Sequence, residues 1–232
     1  MASKEVRYSH GRPHRPHAAK SRTHLTTMQT HWVAASGEFV GTFFFLWLSY
    51  AGHLMAVSQA PSSAAAGGAS SLTIMILALA YSFPLLVNVW AFYRISGGLF
   101  NPAVRTPPFR NDKSTALSIV QCSDRDVLQV TLGLCASGQL PWLRGAFLVP
   151  AQLLACMCAG GLVQAMFPGD VSQANTILSG GTSIVQGLFV EMFFTAELVF
   201  VVLMLAVEKS KDTFLAPVGI GLALFVALIP GK

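Results

Sequence analysis

The sequence is most informative at Ser96-Gly97-Gly98-Leu99-Phe100-Asn101-Pro102-Ala103-Val104. Glycine at 97 and 98 permits an extended, closely packed backbone. Asn101 is a good N-cap residue, and Pro102 suits the first position of a helix. The stretch therefore predicts a short helix that begins at Pro102 and carries a partial positive charge at its N-terminus. An Asn-Pro pair by itself would also fit an ordinary loop and helix cap.

Apolar segments surround this stretch on both sides. The chain is 53% hydrophobic and 11% charged, whereas a soluble domain averages about 25% charged residues. Four of the segments have the roughly 20 residues that a membrane span needs, and lipid allows only helices to cross in this way. The composition excludes a soluble domain and predicts an all-α polytopic membrane protein. Its predicted spans are 33–54, 72–92, 145–166, 183–207 and a shorter one at 214–229.

Positive charge is concentrated at the N-terminus. Residues 1–31 contain six Lys or Arg and one Glu. Together with Gly and Pro, this predicts that residues 1–30 form a disordered basic tail, which the positive-inside rule assigns to the cytoplasm. No nucleic-acid partner is expected. The sequence leaves the choice between the plasma membrane and an internal membrane open.

Two of the spans carry a carboxylate at matching positions. Glu38 is followed four residues later by Thr42, and Glu191 is followed in the same way by Thr195. Three spans separate the starts of the two units, so the second unit would be inverted, as in many channels and transporters. Carboxylates inside a membrane are usually functional or bound to backbone. Glu38 and Glu191 could carry protons in a transporter, or accept hydrogen bonds from backbone amides of a non-helical segment, which we favour.

The longer string around Asn101 closely resembles the first signature of the aquaporin (major intrinsic protein) family, in its fungal branch. Further stretches are similar to the same branch and extend the resemblance to about residues 33–104 and 131–231. They are Asn88-Val-Trp-Ala-Phe-Tyr-Arg-Ile-Ser96, Pro150-Ala-Gln-Leu-Leu154, Gly187-Leu-Phe-Val-Glu191 and Ala216-Pro-Val-Gly-Ile-Gly-Leu-Ala-Leu-Phe225.

The resemblance implies an inverted-repeat bundle of six spanning helices and two re-entrant half-helices that meet at the midplane. Asn101, Pro102 and Ala103 match the first Asn-Pro-Ala motif of the pore. Tyr81 and Leu228 match two positions of the selectivity filter. Glu38 and Glu191 match the carboxylates that support the re-entrant loops. The family conducts water or small neutral solutes passively, assembles as homotetramers in the lipid bilayer, and uses no catalysis, cofactor or metal.

The two filter positions favour different solute selectivities. Leu228 stands where water-selective members commonly have histidine, so an apolar residue there favours a less strictly water-selective pore. Tyr81 is bulky and favours a narrow one. The choice between a water-selective pore and one that also conducts glycerol is therefore open.

Two departures from the family pattern limit the functional prediction. Residues 105–130 form a charged insert of 26 residues between Val104 and Thr131. We interpret it as retained intron sequence, with a functional cytosolic insertion as the rival interpretation. The second Asn-Pro-Ala motif, the second half-helix and the sixth helix are missing. Residues 31–232 are thus expected to form an incomplete domain of five spanning helices and one half-helix.

Three functions remain after these observations. The first is an aquaporin-type channel, which in this chain is impaired or non-conducting. The alternative is a truncated, non-conducting membrane protein that at most co-assembles with full-length relatives. A secondary transporter that uses the two carboxylates is less favoured, and an enzyme is not expected.

Overall fold

The computed structural model describes residues 26–59, 70–100, 129–174, 183–208 and 213–230. Every regular element in these ranges is helical, which confirms the prediction of an all-α membrane protein. A π-helical turn, Leu203–Val207, continues the fifth helix, and single 3-10 turns occur at Val171–Ala174 and Thr213–Leu215. The helices are α1 Thr27–Ser58, α2 Ser71–Phe92, α3 Gln129–Ala136, α4 Trp142–Met166, α5 Ile184–Val202 and α6 Ala216–Leu228.

Four of the described helices are long and apolar enough to cross a membrane. They are α1, α2, α4, and α5 with its π-helical extension, Ile184–Ala206. The fifth predicted span is a shorter apolar helix, Thr213–Leu228, formed by the 3-10 turn and α6. The protein is therefore a multi-pass membrane protein, as predicted from the apolar segments.

Helix α1 begins earlier than its apolar segment. Its first residue is Thr27, inside the stretch 1–30 for which the sequence predicts a disordered tail. The reason is a capping box: the Thr26 hydroxyl accepts from the Gln29 amide, and the Gln29 side chain accepts from the Thr26 amide. These two bonds satisfy backbone donors that the start of a helix leaves free. Residues 1–25 of the predicted tail lie outside the described residues.

The core is organised around α1, which packs against both α2 and α4. Helix α2 also packs against α6, and α6 packs against α5. The buried face of α1 is unusually polar for a membrane helix, because it carries Glu38, Thr42, Ser49 and His53. In α5, by contrast, Val202 is the one buried side chain among residues 184–202. The apolar surface of α5 is therefore available to lipid or to another protein.

A close contact holds the segment after α2 against α1. A Cβ atom added to Gly41 would lie 2.0 Å from the Phe100 ring. The missing side chain thus leaves the space that the Phe100 ring fills, and Phe100 is 1% exposed.

We expect Gly41→Val to lower the free energy of unfolding by about 1–3 kcal/mol, the usual effect of overpacking a filled site. The measurement is thermal or denaturant unfolding of the protein in detergent, followed by circular dichroism. Gly161→Ala in α4 is the control, since nothing lies within 4 Å of its added Cβ, and it should be neutral or slightly stabilising. A Gly41→Val protein as stable as the wild type would show that Phe100 does not occupy this space.

Candidate functional site

Glu38 connects α1 to the segment that precedes Asn101. Its side chain is fully buried. Oε1 accepts a hydrogen bond from the Leu99 amide at 3.1 Å, and Oε2 accepts one from the Phe100 amide at 3.1 Å. Oε2 also accepts from Nε2 of Gln152 at 2.8 Å. A buried carboxylate with three N–H donors can be tolerated inside an apolar bundle, because its lone pairs are satisfied.

Gln152 and Thr131 extend this contact to two further helices. Both side chains are fully buried, Gln152 on α4 and Thr131 on α3. The Thr131 hydroxyl donates to Oε1 of Gln152 at 3.4 Å. A continuous set of polar contacts therefore joins α1, α4, α3 and the segment after α2. Neither residue is assigned a role from the sequence; a glutamine within an apolar span is the available signal for Gln152.

The same segment is held from a second side. Nη2 of Arg144, at the start of α4, donates to the backbone oxygen of Ser96 at 3.1 Å. The buried Ser96 hydroxyl accepts from the Gly98 amide at 3.2 Å. Gly97 and Gly98 have φ values of 108° and 65°, in the region that favours glycine. Only glycine adopts such angles readily, which lets the backbone turn tightly between its two attachments.

The ring of Phe100 is the last described part of this segment. It packs edge-on against Phe92 with ring centroids 5.8 Å apart. Asn101, Pro102 and Ala103 follow at once in the chain, but they lie outside the described residues. So do residues 105–128 of the predicted insert, whereas its last two residues, 129–130, belong to α3. Helix α3 contains Thr131-Leu-Gly-Leu134, the sequence that the family resemblance joins to Val104.

The two predicted filter residues lie on helices that pack against each other. Tyr81 is in the middle of α2, is partly buried and packs against the hydrophobic core. Leu228 is the last residue of α6 and is also partly buried. The Tyr81 hydroxyl oxygen is 3.1 Å from Nδ1 of His53 on α1. His53 is not assigned a role from the sequence, although a histidine in an apolar span is a recognisable signal.

The second predicted loop-supporting carboxylate is in a different setting. Glu191 is partly buried on α5, and Glu197 on the same helix is exposed. Glu38 is fully buried, so the matching positions of the two units differ in burial within the described structure.

A cavity of about 280 Å³ lies beside the anchored segment. Its lining includes Ser96, Gly97, Leu99, Arg144 and Val202. The Tyr93 hydroxyl, also at its wall, donates to the backbone oxygen of Ala206 in the π-helical turn. The cavity thus combines apolar walls with an arginine side chain and loop backbone. Within the described ranges, no three His, Cys, Asp or Glu residues are grouped as metal ligands would be.

These features define a class: a multi-pass helical membrane protein in which a buried carboxylate binds the backbone of a non-helical segment. The chain matches the family model "Major intrinsic protein" over residues 24–112 and 129–231. It therefore belongs to the major intrinsic protein, or aquaporin, family and to its fungal branch, which confirms the resemblance noted from the sequence.

The individual relatives are fungal aquaporins. The chain is 61% identical over 209 residues to "Probable aquaporin-3" of Gibberella zeae, covering 90% of this chain and 64% of that protein. It is 44% identical over 207 residues to "Aquaporin-2" of Botryotinia fuckeliana, covering 88% of this chain and 48% of that protein. It is 35% identical over 222 residues to "Aquaporin-2" of Saccharomyces cerevisiae, with coverages of 93% and 66%. The chain spans about two thirds or less of the length of these curated relatives.

Proposed function

We propose that the protein is a passive membrane channel for water and small neutral solutes such as glycerol, without catalysis, cofactor or metal. The observation that carries this proposal is the hydrogen bonding of Leu99 and Phe100 to Glu38 inside the bundle. A non-helical backbone at membrane depth is tolerated only where protein or a cavity surrounds it. Such a segment is the structural basis of a pore that binds solute through backbone groups and side chains.

The anchored segment leads directly into Asn101, Pro102 and Ala103. In the proposed pore, Pro102 begins a half-helix whose positive end faces the solute, and the Asn101 amide donates hydrogen bonds to it. Oriented donors and a positive dipole end favour a file of water molecules and raise a barrier to cations and protons. We propose that Glu38 supports this geometry as the acceptor for three N–H donors and has a structural role rather than that of a proton carrier.

The selectivity filter is proposed to include Tyr81 and Leu228. The tyrosine ring narrows the passage, and its hydroxyl offers one polar group. The leucine provides neither a donor nor an acceptor, so it removes a hydrogen bond that would favour water and offers an apolar wall to the C–H groups of a solute such as glycerol. We expect water to pass and glycerol to compete with it.

We propose a homotetramer in the lipid bilayer with the basic N-terminus in the cytoplasm. The exposed apolar side chains of α5 support an arrangement in which that helix contacts lipid or a neighbouring subunit. Glu191 is the counterpart of Glu38 in the inverted repeat, and we propose that it supports a second loop in a longer chain. The 232 residues taken alone would be impaired or non-conducting, or would at most co-assemble with full-length relatives.

Osmotic swelling of vesicles tests the channel proposal. The protein to use is a completed chain, in which Val104 is joined to Thr131 and the C-terminal part of the Gibberella zeae relative follows residue 231. We expect fast swelling in an outward gradient of impermeant sucrose, which reports water, and fast re-swelling after shrinkage in an inward glycerol gradient, which reports glycerol. A pH-sensitive dye inside the vesicles should report no proton uptake. Protein-free vesicles are the control. Glycerol uptake driven by a proton gradient, and abolished by Glu38→Gln, would instead support the secondary transporter.

A further inference from the structure

His53 is a buried histidine near the C-terminal end of α1. With the N-terminus predicted in the cytoplasm, this end of the helix lies toward the outer side of the membrane. His53 is 3% exposed, and burying an imidazole in an apolar bundle is unfavourable unless its nitrogens find partners. Nδ1 lies 3.1 Å from the Tyr81 hydroxyl oxygen, within hydrogen-bonding distance. The two rings meet edge-on, with centroids 5.9 Å apart. The contact joins a residue without an assigned role to the proposed filter aromatic.

Small residues next to His53 and Tyr81 allow the two helices to approach closely at this pair. Gly52 directly precedes His53, and Ala80 directly precedes Tyr81. A Cβ added to Gly52 would lie 2.9 Å from Cβ of Ala80, so the two helices approach here as closely as small residues allow. Close approach of small residues is a common way for membrane helices to bring polar side chains together. The glycine and the alanine thus set the distance across which the histidine and the tyrosine can pair.

A hydrogen bond at this place has a particular effect on the tyrosine. The ring has two rotatable bonds, both near the backbone, and its hydroxyl is at the far end. The hydroxyl oxygen lies on the Cβ–Cγ axis of the ring, so the hydrogen bond fixes rotation about Cα–Cβ, and the edge-on contact with the His53 ring restricts rotation about Cβ–Cγ. We propose that His53 is a positioning residue: it holds the Tyr81 ring in one orientation and thereby sets the solute selectivity of the channel. The inference rests on the proposed function, in which Tyr81 lines the filter.

The first test concerns the pair itself and does not require conduction. The 232-residue chain, labelled with ¹⁵N-histidine in detergent, is compared with its Tyr81→Phe variant by NMR. The His53 signals are assigned by their absence in His53→Phe. We expect the Nδ1 shift of His53 to move on Tyr81→Phe while the other histidine signals stay in place. An unchanged Nδ1 shift would show that the two side chains are not hydrogen-bonded and would overturn the proposal.

The second test measures selectivity in the completed chain described above. We expect His53→Phe and Tyr81→Phe each to raise the ratio of glycerol to water permeability by about fivefold, the equivalent of the ~1 kcal/mol net value of one hydrogen bond. The double variant should change the ratio no further than either single variant, because both remove the same bond. His53→Gln keeps a hydrogen-bonding side chain and should restore a ratio near that of the wild type.

The outcomes separate the two proposals. If the wild type conducts but His53→Phe leaves the ratio unchanged, or if the two single effects multiply in the double variant, His53 does not act through Tyr81. A general loss of folding would lower both permeabilities together without changing their ratio. If no protein conducts, wild type included, the proposed function fails and the selectivity role fails with it, while the NMR comparison still decides whether the pair exists.

Discussion

Replacing Glu38 by leucine is expected to lower the free energy of unfolding by about 3–9 kcal/mol, because each of three buried N–H donors left without an acceptor costs about 1–3 kcal/mol. The change removes the acceptor for three donors at once: the amides of Leu99 and Phe100 and Nε2 of Gln152. Leucine fills a similar volume but accepts nothing, so these donors are left buried and unpaired. The segment before Asn101 should then lose its fixed position against α1.

The measurement is equilibrium unfolding in detergent, with two comparisons. Glu38→Gln retains one acceptor oxygen and should keep the fold, with a smaller loss of stability. Glu197→Leu removes a carboxylate that is exposed on α5 within an apolar span, so the change should be neutral or stabilising. Equal losses for Glu38→Leu and Glu197→Leu would mean that the three contacts of Glu38 contribute nothing specific.

The helices could largely be predicted from the sequence, because hydropathy reports directly what lipid demands of a segment. Helix α2, predicted at 72–92, is Ser71–Phe92, and α4, predicted from 145, starts at Trp142. The early start of α1 at Thr27 depends on a capping box. Its residues are polar, so a hydropathy pattern does not detect it. The π-helical turn at Leu203–Val207 lies within an evenly apolar stretch that carries no local signal for it.

The site was predictable only in part, and the reason is the distance along the chain between its members. A lone Glu, Gln or His in an apolar span indicates that a partner must exist, since an unpaired polar group there is unfavourable. It does not indicate which partner. Glu38 and Gln152 are 114 residues apart, and His53 and Tyr81 are 28 apart. Only the packing of α1 against α2 and α4 brings these pairs together, so Gln152, Thr131 and His53 were not assigned from sequence.

The second large effect is expected in conduction by the 232-residue chain itself. Vesicles that contain it should swell no faster than protein-free vesicles, whereas the completed chain should swell them rapidly. The proposed pore uses two opposed half-helices, so that two positive dipole ends and two asparagine amides act on the solute together. The 232 residues contain one Asn-Pro-Ala motif, at 101–103, and residues 105–130 separate it from Thr131.

Two intermediate proteins separate the effect of residues 105–130 from the effect of the added C-terminal part. One has Val104 joined to Thr131 and ends at residue 232; the other keeps residues 105–130 and carries the added C-terminal part. All four proteins are compared at equal amounts per vesicle, with Glu197→Gln in the completed chain as a neutral variant. The first intermediate should conduct if the insert alone blocks conduction. It should not conduct if the second Asn-Pro-Ala motif and its half-helix are also required. We expect it not to conduct, because a single positive dipole end and a single asparagine leave the solute without donors on the opposite side of the passage. Swelling by the unmodified 232-residue chain as fast as by the completed one would show that one motif and one anchored loop suffice for a pore.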